Sequence, residues 1–427
     1  MSTGVRTERA VGVFALVAAV VLFVAAIGSA ARRGAGYDLL PLSVAGRLVA
    51  AGETGHVYAQ DPQFYNLTAD SVFRQTSRDA GTAAEPTPFV YPPLIAVMMR
   101  AFAGVPFTAI SQAWGVLSVL FVFIGLFLTV RLYLPSWNTP LAWAGLLLAL
   151  CWFEPLLYGF WLGQTTAVML PIVIGSLALQ RRGRDVAAGL LLACAVFIKL
   201  TPAVVAAVWL WRGPRRAFVW TVAGVAALWA LSIAAAGAPL HEAYVRRVLS
   251  IGRVVLVSFN NQSLSAVLGR MQLPHAAWFD WRMYHPGAAL AVIHAAILGV
   301  IAVSAVVSVA RLPRERPERW RPLAEGFALL FMLLAPNIAW THYFVFLLPV
   351  MAIVVAESGG TVAPRIAAAA AFVLCCRPLL APQDVPYLST SSLFVSGPAI
   401  AALVLWGTLI WIAARTRRDD GSTVVSR

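Results

Sequence analysis

The sequence predicts an all-α polytopic membrane protein, on the basis of its composition, its apolar runs and the placement of its arginines. Hydrophobic residues make up 60% of the 427 residues, charged residues make up 12%, and the mean hydropathy is +0.79. A soluble domain carries about 25% charged residues. Apolar runs close to the ~20 residues that cross the hydrocarbon core recur from end to end. We therefore expect residues 1–427 to form a single transmembrane domain.

The arginines lie in short clusters between apolar runs, and their placement decides how the net charge of +14 is interpreted. A basic chain could bind nucleic acid, but basic clusters beside apolar runs are typical of loops that face the cytoplasm. We therefore expect no nucleic-acid partner and a chain surrounded by membrane lipids. The clusters that fix this orientation are Arg181, Arg182 and Arg184; Arg212, Arg215 and Arg216; residues 311–321; and Arg415, Arg417 and Arg418.

The first apolar run, residues 11–30, is expected to span the membrane uncleaved, because about 20 residues exceed most signal-peptide cores. From a cytoplasmic start, about 12 crossings put both termini inside, together with a cytoplasmic tail at 415–427. Three segments then lie outside: 31–88, 237–286 and 381–396. The later spans are expected at 89–104, 110–131, 164–180, 186–199, 200–212, 217–236, 287–310, 323–337, 340–356, 364–380 and 397–414.

Two segments need a separate interpretation. Residues 139–160 do not fit the alternation of crossings, and they contain Pro155 and Gly159, so we expect a re-entrant hairpin covered by protein or water. Residues 39–51 place Leu40, Val44 and Leu48 on one helical face, which predicts an external amphipathic helix parallel to the membrane surface.

Lys199 is the most informative polar residue of the sequence. The helices on either side are predicted to have about 14 and 13 residues, near 20 Å each at ~1.5 Å per residue, whereas the hydrocarbon core is roughly 30 Å thick. Lys199 should therefore lie below the outer surface in a protein-lined cavity, where the partner of a buried ammonium is commonly a carboxylate or phosphate. The alternatives are that Lys199 snorkels outward or pairs with Glu154.

Asp38 and His342 also have a functional and a structural interpretation. Asp38 directly follows the first span and could act as a general base, because partial desolvation raises a carboxyl pKa towards the working range. Alternatively, Asp38 caps the helix that follows it. His342 could donate to phosphate oxygens or be a satisfied structural group. The external arginines Arg246, Arg247, Arg253 and Arg270 could attract either an anionic acceptor or lipid headgroups.

Taken in order, several short motifs resemble glycosyltransferase family 87, the polyprenyl-phosphate-sugar-dependent mannosyl- and arabinofuranosyltransferases. The resemblance covers roughly residues 10–350, and it is fairly specific because the motifs follow one another in order. The motifs are Asp38 after the first span, a helical stretch ending Ala50-Ala-Gly-Glu-Thr-Gly-His-Val-Tyr58, Phe89-Val-Tyr-Pro-Pro-Leu, Gly163-Gln, Lys199-Leu-Thr-Pro, Asn261-Gln-Ser-Leu and Trp340-Thr-His-Tyr.

The resemblance implies a C-type glycosyltransferase fold and inverting transfer of a sugar, mannose before arabinofuranose, to a glycolipid or glycan acceptor. It also implies a polyprenyl-phosphate-linked donor, no metal or other cofactor, and a site on the external side of a bacterial plasma membrane. Asp38 would be the base, and Lys199 and His342 would hold the donor phosphate. The substrate pocket would be lined by Tyr91, Gln164, Asn261 and Trp340.

The sequence departs from the family pattern in the segments around its motifs. Leu39-Leu-Pro-Leu follows Asp38 where the family often has an aromatic residue, and Thr341 precedes His342 where the family usually has an acidic or polar residue. The long segment 59–88 offers Asp61 and Asp70 as substitute bases. A flippase or transporter for a lipid-linked sugar remains the alternative function, although such a protein would normally show internal pseudo-symmetry.

Overall fold

The computed structural model describes residues 3–425, except for residues 35, 60, 62, 69, 83–84 and 377–391. Within these ranges about 75% of the chain is helical and no β-strand forms. The α-helices in chain order are α1 (Thr3–Gly34), α2 (Leu40–Ala51), α3 (Ser71–Asp79), α4 (Pro93–Met99), α5 (Phe107–Tyr133), α6 (Pro140–Leu150), α7 (Glu154–Leu162), α8 (Thr166–Arg181), α9 (Asp185–Ile198), α10 (Ala203–Trp211), α11 (Arg215–Gly252), α12 (Leu264–Arg270), α13 (Ala288–Ala310), α14 (Pro317–Leu334), α15 (Leu347–Ala356), α16 (Val362–Leu374), α17 (Ser392–Val395) and α18 (Gly397–Val425).

The prediction of a membrane protein is confirmed. Five of the described helices have the length and apolarity to cross a membrane, and they lie within α1, α5, α11, α13 and α18. The predicted spans at 164–180, 186–199, 200–212, 323–337, 340–356 and 364–380 correspond to shorter helices, apart from residues 377–380, which lie outside the described residues. The chain is therefore a multi-pass membrane protein with spans of very unequal length.

The bundle has two ends that differ in composition. At one end, which we call the arginine end, Arg181 contacts Glu325, and Tyr133 donates to the same carboxylate over 2.8 Å. At the other, which we call the Asp38 end, the turn after α1 meets the end of α7, where the Asp38 amide donates to Leu162 O over 2.8 Å. The arginine end and the Asp38 end are the two opposite ends of the helical bundle.

Residues 139–160 do not form a re-entrant hairpin. A Cβ built on Gly12 near the start of α1 would lie 3.5 Å from Pro140, and Leu162 bonds to Asp38 just beyond the other end of α1. The two contact points are roughly 33 Å apart along α1 at ~1.5 Å per residue, so α6 and α7 together run the length of the bundle. Leu150 and Glu154 flank the break between the two helices. The break that we interpreted as a hairpin turn is a kink within one traverse.

The predicted span at 89–104 is also wrong. Tyr91 O accepts a bond of 2.6 Å from Tyr58, and Val105 O accepts one of 2.8 Å from Arg47. Both ends of this segment therefore bond to the region between α1 and α5, at the Asp38 end. The seven-residue helix α4 is too short to cross, although its composition is as apolar as that of a span. This error and the hairpin error cancelled each other in the expected alternation of crossings.

The predicted amphipathic helix at 39–51 is present as α2, but it is buried on more than one side. Besides Leu40, Val44 and Leu48, the polar or small residues Ser43 and Gly46 are buried. A Cβ on Gly46 would lie 2.5 Å from the Met99 backbone, so only glycine permits this contact between α2 and the end of α4. The region between α1 and α5 is thus a packed cap over the Asp38 end.

Glycines also bring α9 and α11 together, which fixes the position of Lys199 at the end of α9. A Cβ on Gly189 would lie 2.5 Å from Ala217 O, and one on Gly224 would lie 2.7 Å from Ala193 Cβ. Small residues allow membrane helices to approach this closely. Beyond these contacts α11 kinks at Gly237, whose φ of 77° lies in the left-handed region that favours glycine.

The segment 237–286 continues α11 to Gly252 and then folds over the Asp38 end. Arg270, which is 2% exposed, donates to Ser258 O over 2.8 Å, to Asn261 O over 2.7 Å and to Ser396 Oγ over 3.0 Å. These bonds tie the segment to the start of α18. Of the third predicted external segment, 381–396, residues 381–391 lie outside the described residues, as do residues 426 and 427 of the predicted tail.

Candidate active site

A cavity of about 420 Å³ lies at the Asp38 end, and its walls bring together residues that are far apart in the sequence. Six of the seven predicted site residues line it: Asp38, Tyr91, Gln164, Lys199, Trp340 and His342. The turn after α1, the segment before α4, the α7–α8 and α9–α10 junctions and the segment after α14 each contribute one or two of these residues. These six residues therefore lie at irregular junctions between helices rather than in helix interiors.

Asp38 is fixed by contacts with the α7–α8 junction. Gly163 has a φ of 69°, and a Cβ built on it would lie 3.0 Å from Gly36 Cα, so the two turns touch through glycines. The Gln164 amide group donates a short hydrogen bond to Asp38 Oδ2. Helix α2 begins after Leu39, and no side chain accepts a bond from its first turn. The alternative interpretation of Asp38 as a helix cap is therefore wrong.

The environment of Asp38 favours a proton. Burial raises the pKa of its carboxyl from 3.8 to about 6, and this effect outweighs the opposing effects of hydrogen bonds from Gln164 and Thr87 and of the Lys199 charge. A group that titrates near neutrality can both accept and release a proton in a reaction cycle. The site therefore contains a carboxylate with the properties of a general base.

Tyr91 and Gln164 form a small polar network beside this carboxylate. The Tyr91 hydroxyl lies 3.3 Å from Thr165 Oγ1 and donates to Gln164 Oε1 over 3.4 Å, while the Gln164 Nε2 group bonds to Asp38. Gln164 is thereby held with its amide nitrogen towards the carboxylate. Gln164 thus contacts Asp38 directly, Tyr91 is connected to it through Gln164, and both residues face the cavity.

Lys199 interrupts the chain between α9 and α10 with an extended backbone, φ −144° and ψ 128°. Its ammonium group lies 3.8 Å from the centre of the Tyr343 ring, a cation–π contact. Within the described ranges no carboxylate forms an ion pair with it, and it does not pair with Glu154. Lys199 is also the only lysine among the 427 residues, a signal that the sequence analysis did not use.

His342 lies in the cavity wall near Tyr158, and its side chain is 1% exposed. Its ring is 4.6 Å from that of Tyr343 and 6.3 Å from that of Tyr158. Neither ring nitrogen has a hydrogen-bond partner in the part of the chain that the structure describes. A buried polar group normally has such a partner, so the imidazole of His342 retains an unused donor in the cavity wall.

Asn261, the seventh predicted residue, does not line the cavity. Its side-chain amide donates to Leu256 O over 2.8 Å and accepts from the Ala339 amide over 2.9 Å, so it joins two segments. The adjacent Asn260 lines the cavity instead and donates to the Tyr158 hydroxyl over 2.7 Å. Trp340, by contrast, faces the cavity as predicted.

The substitute bases Asp61 and Asp70 have local structural roles. Asp61 Oδ1 accepts from the amides of Gln63 and Phe64 over 2.7 and 2.9 Å, which fixes a turn. Asp70 caps α3 by accepting from the Phe73 amide over 2.7 Å, and its second oxygen contacts His56. Neither carboxylate lines the cavity, so Asp38 is the acidic residue among its lining groups.

Most of the aromatic residues that line the cavity were not predicted from the sequence. The rings of Tyr37 and Trp161 are nearly parallel at 6.2 Å, and those of Trp161 and Tyr158 at 5.6 Å. On another wall Trp340 contacts Tyr65 and Trp281 at 5.3 and 5.5 Å between ring centres. Aromatic residues are common at membrane interfaces, so their number alone could not identify the lining. Flat rings of this kind are suited to the apolar face of a sugar.

These features define a class of protein: a multi-pass membrane protein whose buried cavity combines a carboxylate, two basic side chains and stacked aromatic rings. The model of glycosyltransferase family 87 matches residues 89–336, more than half of the chain. The chain therefore belongs to glycosyltransferase family 87. Tyr91, Gln164 and Lys199 fall within the matched range, whereas Asp38 and His342 lie outside it.

Similar proteins include three mycobacterial mannosyltransferases. The chain is 28% identical over 272 residues to a polyprenol-phosphate-mannose-dependent alpha-(1-2)-phosphatidylinositol pentamannoside mannosyltransferase of Mycobacterium tuberculosis, strain CDC 1551 / Oshkosh, covering 62% of this chain and 58% of that protein. It is 26% identical over 288 residues to a polyprenol-phosphate-mannose-dependent alpha-(1-2)-phosphatidylinositol mannoside mannosyltransferase of Mycolicibacterium smegmatis, covering 62% and 61%. The protein of that same description in Mycobacterium tuberculosis, strain H37Rv, is 26% identical over 281 residues, covering 62% of each chain.

The match thus spans about three fifths of the length of these relatives. No solved structure matches the chain.

Proposed function

We propose that this protein is a membrane glycosyltransferase that moves a sugar from a polyprenyl-phosphate donor to a glycolipid or glycan of the cell envelope. Mannose is the first candidate for the sugar, because the relatives are described as polyprenol-phosphate-mannose-dependent, and arabinofuranose is the second. The observation that carries the proposal is the cavity in which Asp38 lies together with Lys199 and His342. Family membership supports the same reaction class.

In the proposed reaction Lys199 and His342 bind the donor phosphate. As the bond between the anomeric carbon and the phosphate oxygen breaks, negative charge accumulates on that oxygen. The ammonium and an imidazole N–H stabilise this charge, and fixed donors in a water-poor site are effective because they need no reorganisation. The reason for assigning them this role is that, among the described residues, His342 has no hydrogen-bond partner and Lys199 has no ion pair.

Asp38 acts on the acceptor in the same step. Its carboxylate takes the proton of an acceptor hydroxyl, the hydroxyl oxygen forms a bond to the anomeric carbon, and the polyprenyl phosphate leaves with the bonding electrons. The base and the leaving phosphate must lie on opposite faces of the sugar, so the displacement inverts the anomeric configuration. Asp38 and Lys199 enter the cavity from different junctions, which is compatible with this geometry.

We further propose the C-type glycosyltransferase fold with 12 crossings. These are α1, α5, the α6–α7 pair, α8, α9, α10, the first part of α11, α13, α14, residues 341–356, α16 and α18. The arginine end then faces the cytoplasm by the distribution of basic residues. The cavity consequently opens to the external side of a bacterial plasma membrane, with segments 31–88, 237–286 and 381–396 on that side and the tail 415–427 inside.

A flippase for a lipid-linked sugar is the second candidate, because it also requires a polar cavity for a phosphate. Such a protein has no need of a base, whereas burial gives Asp38 a pKa of about 6. A variant that abolishes transfer without affecting donor binding therefore separates the two functions.

The test measures transfer of radiolabelled mannose or arabinose from polyprenyl phosphate to a cell-envelope glycolipid extract by the purified protein in detergent. Asp38→Asn keeps the size of the side chain and one acceptor oxygen but removes the base, so transfer should fall by about 10²- to 10⁴-fold. Asp61→Asn and Asp70→Asn are matched controls, because these carboxylates have local roles outside the cavity. Both controls should retain transfer.

Donor binding should be unchanged in Asp38→Asn. Full transfer by this variant, or its loss in Asp70→Asn instead, would reject Asp38 as the base. Donor binding by wild type without transfer to any acceptor in the extract would favour the flippase.

A further inference from the structure

The arginines at the Asp38 end have very different environments. Arg246 is exposed and pairs with Glu242, and Arg270 is buried but donates to backbone carbonyls and Ser396. Arg247 is buried, but no carboxylate, carbonyl or hydroxyl group among the described residues pairs with it. It is 5% exposed, and none of its three guanidinium nitrogens has a hydrogen-bond partner among the described residues.

Burying an unpaired guanidinium costs free energy, so its presence in the fold needs an explanation. A buried charge without a partner destabilises a protein by several kcal/mol unless a ligand or a neighbouring group compensates it. The contact of Arg247 with the Tyr65 ring, 5.5 Å from the guanidinium carbon to the ring centre, provides only partial compensation. None of its five N–H groups donates to an acceptor among the described residues.

Arg247 lies directly behind the cavity wall. It is on the part of α11 beyond the Gly237 kink, on the same helical face as Tyr244 and Val248, and both of these neighbours line the cavity. Tyr65 also lines the cavity and contacts Arg247.

The position of Tyr65 connects Arg247 with the acceptor side of the site. Burial raises the pKa of the Tyr65 hydroxyl, the Arg247 guanidinium opposes that shift, and the Asp38 carboxylate reinforces it. Tyr65 therefore experiences both charges. A hydroxyl that reaches Asp38 therefore enters the cavity that Tyr65 also lines.

The wall beside Tyr65 is held in a strained conformation. Trp281 is the non-glycine residue with positive φ, 56°, in the described part of the chain, and its carbonyl accepts from the Tyr65 amide over 3.0 Å. Its ring lies against Trp340. Strained backbone persists where the surrounding structure enforces it, frequently at binding sites. The result is an aromatic wall of Tyr65, Trp281 and Trp340 next to a free guanidinium.

We propose that Arg247 binds the phosphodiester of an anionic glycolipid acceptor, while Tyr65, Trp281 and Trp340 contact the sugar that carries the attacking hydroxyl. This inference rests on the proposed function. A planar guanidinium binds phosphate through two parallel hydrogen bonds, which fixes orientation as well as distance. The donor phosphate already has Lys199 and His342, so Arg247 is available for a second phosphate.

The experiment compares two acceptors with the purified full-length protein and polyprenyl-phosphate-linked mannose. One is a phosphatidylinositol mannoside, and the other is octyl α-mannoside, which has no phosphate. In Arg247→Met the KM for the anionic acceptor should rise by about 10- to 100-fold, the loss expected for hydrogen bonds to a charged group. The KM for octyl mannoside and the KM for the donor should each change by less than about threefold.

Arg247→Lys should give an intermediate KM for the anionic acceptor, because lysine keeps the charge without the paired geometry. Arg246→Gln is the control, since this neighbouring arginine is exposed and pairs only with Glu242. It should leave both KM values unchanged. An equal effect of Arg247→Met on the two acceptors would overturn the proposal, and a raised donor KM would assign Arg247 to the donor phosphate.

A binding measurement separates this inference from the proposed reaction. Wild-type protein should bind dioctanoyl phosphatidylinositol at least about tenfold more tightly than dioctanoylglycerol, and Arg247→Met should lose this preference. If wild type transfers no sugar but shows the preference, the proposed function fails and the anion site stands. If wild type shows no preference, the anion site is rejected, whatever the transfer assay gives.

Discussion

The arginine end of the helical bundle pairs its buried charges, whereas the Asp38 end leaves some buried polar groups without a partner among the described residues. At the arginine end, Glu325 is 3% exposed and contacts both Arg181 and the Tyr133 hydroxyl. Arg212 donates to Val309 O and Leu312 O in the same region. At the Asp38 end, the described residues give no hydrogen-bond partner to the ring nitrogens of His342 or to the Arg247 guanidinium.

This difference separates groups that stabilise the fold from groups that await a ligand. A buried polar group without a partner costs free energy, so a fold that only had to be stable would pair or replace it. The arginine end shows that this sequence can pair its buried charges. The unpaired groups at the Asp38 end are the basis for proposing substrates with complementary charge, and two phosphates would meet this requirement.

The largest expected effect concerns the arginine end, where the buried charges are paired. Glu325→Gln should lower the free energy of unfolding by about 3–5 kcal/mol, because it leaves the partly buried Arg181 without a counter-charge. Denaturation in mixed detergent, followed by tryptophan fluorescence, measures this loss. Glu242→Gln is the matched control: its partner Arg246 and Glu242 are both exposed, at 78% and 64%, so the change should stay below about 1 kcal/mol.

Equal destabilisation by the two substitutions would contradict the comparison, since it would mean that burial of the pair has no consequence. Glycosyl transfer by folded Glu325→Gln should remain, because Glu325 is at the end opposite the cavity.

The next largest effect concerns the Asp38 end. Lys199→Met should reduce kcat for sugar transfer by about 10²- to 10³-fold, the loss usually seen when one charge-stabilising donor is removed. The unliganded variant should be at least as stable as wild type, because no ion pair with Lys199 is broken among the described residues. Loss of stability equal to that of Glu325→Gln would show that Lys199 is part of the fold.

Because Lys199 is the only lysine, its amine can be followed without interference from other side chains. Polyprenyl phosphate should slow acetylation of Lys199 by acetic anhydride at least about tenfold, because an ammonium bound to phosphate must be released before it reacts. Peptide mass spectrometry measures the modified fraction. Equal rates with polyprenyl phosphate and with polyprenol would contradict phosphate binding by Lys199.

The same comparison explains how much could be predicted from the sequence. Apolar runs predicted most helices, and short motifs predicted six residues of the cavity wall. Hydropathy gave the wrong topology for α4 and for residues 139–160. An apolar segment that is buried under a cap has the same composition as one that faces lipid. Pro155 and Gly159 follow a kink here rather than forming a turn, and only the packing against α1 distinguishes these cases.

The unpaired state of Arg247 could not be predicted at all. Arg246, Arg247 and Arg270 look equivalent in the sequence, yet one pairs on the surface, one has no partner among the described residues and one bonds to carbonyls. Asn261 shows the same limit, since it and Asn260 are adjacent but only Asn260 faces the cavity. Which of two neighbouring polar residues is satisfied depends on distant segments that only the fold brings close.

The smallest expected effect concerns the proton on Asp38. Its pKa of about 6 means that kcat/KM for transfer should be half-maximal near pH 6 and fall about tenfold per pH unit below it, because only the deprotonated carboxylate accepts a proton. The hydrogen bond from Gln164 lowers this pKa, so Gln164→Leu should move the acid limb to higher pH by less than about one unit. A profile that stays flat down to pH 4.5, as for a carboxyl with an ordinary pKa, would mean that burial does not tune this base. A limb that moves to lower pH in Gln164→Leu would mean that Gln164 acts on Asp38 in the opposite sense, and the polar network beside the carboxylate would need another role.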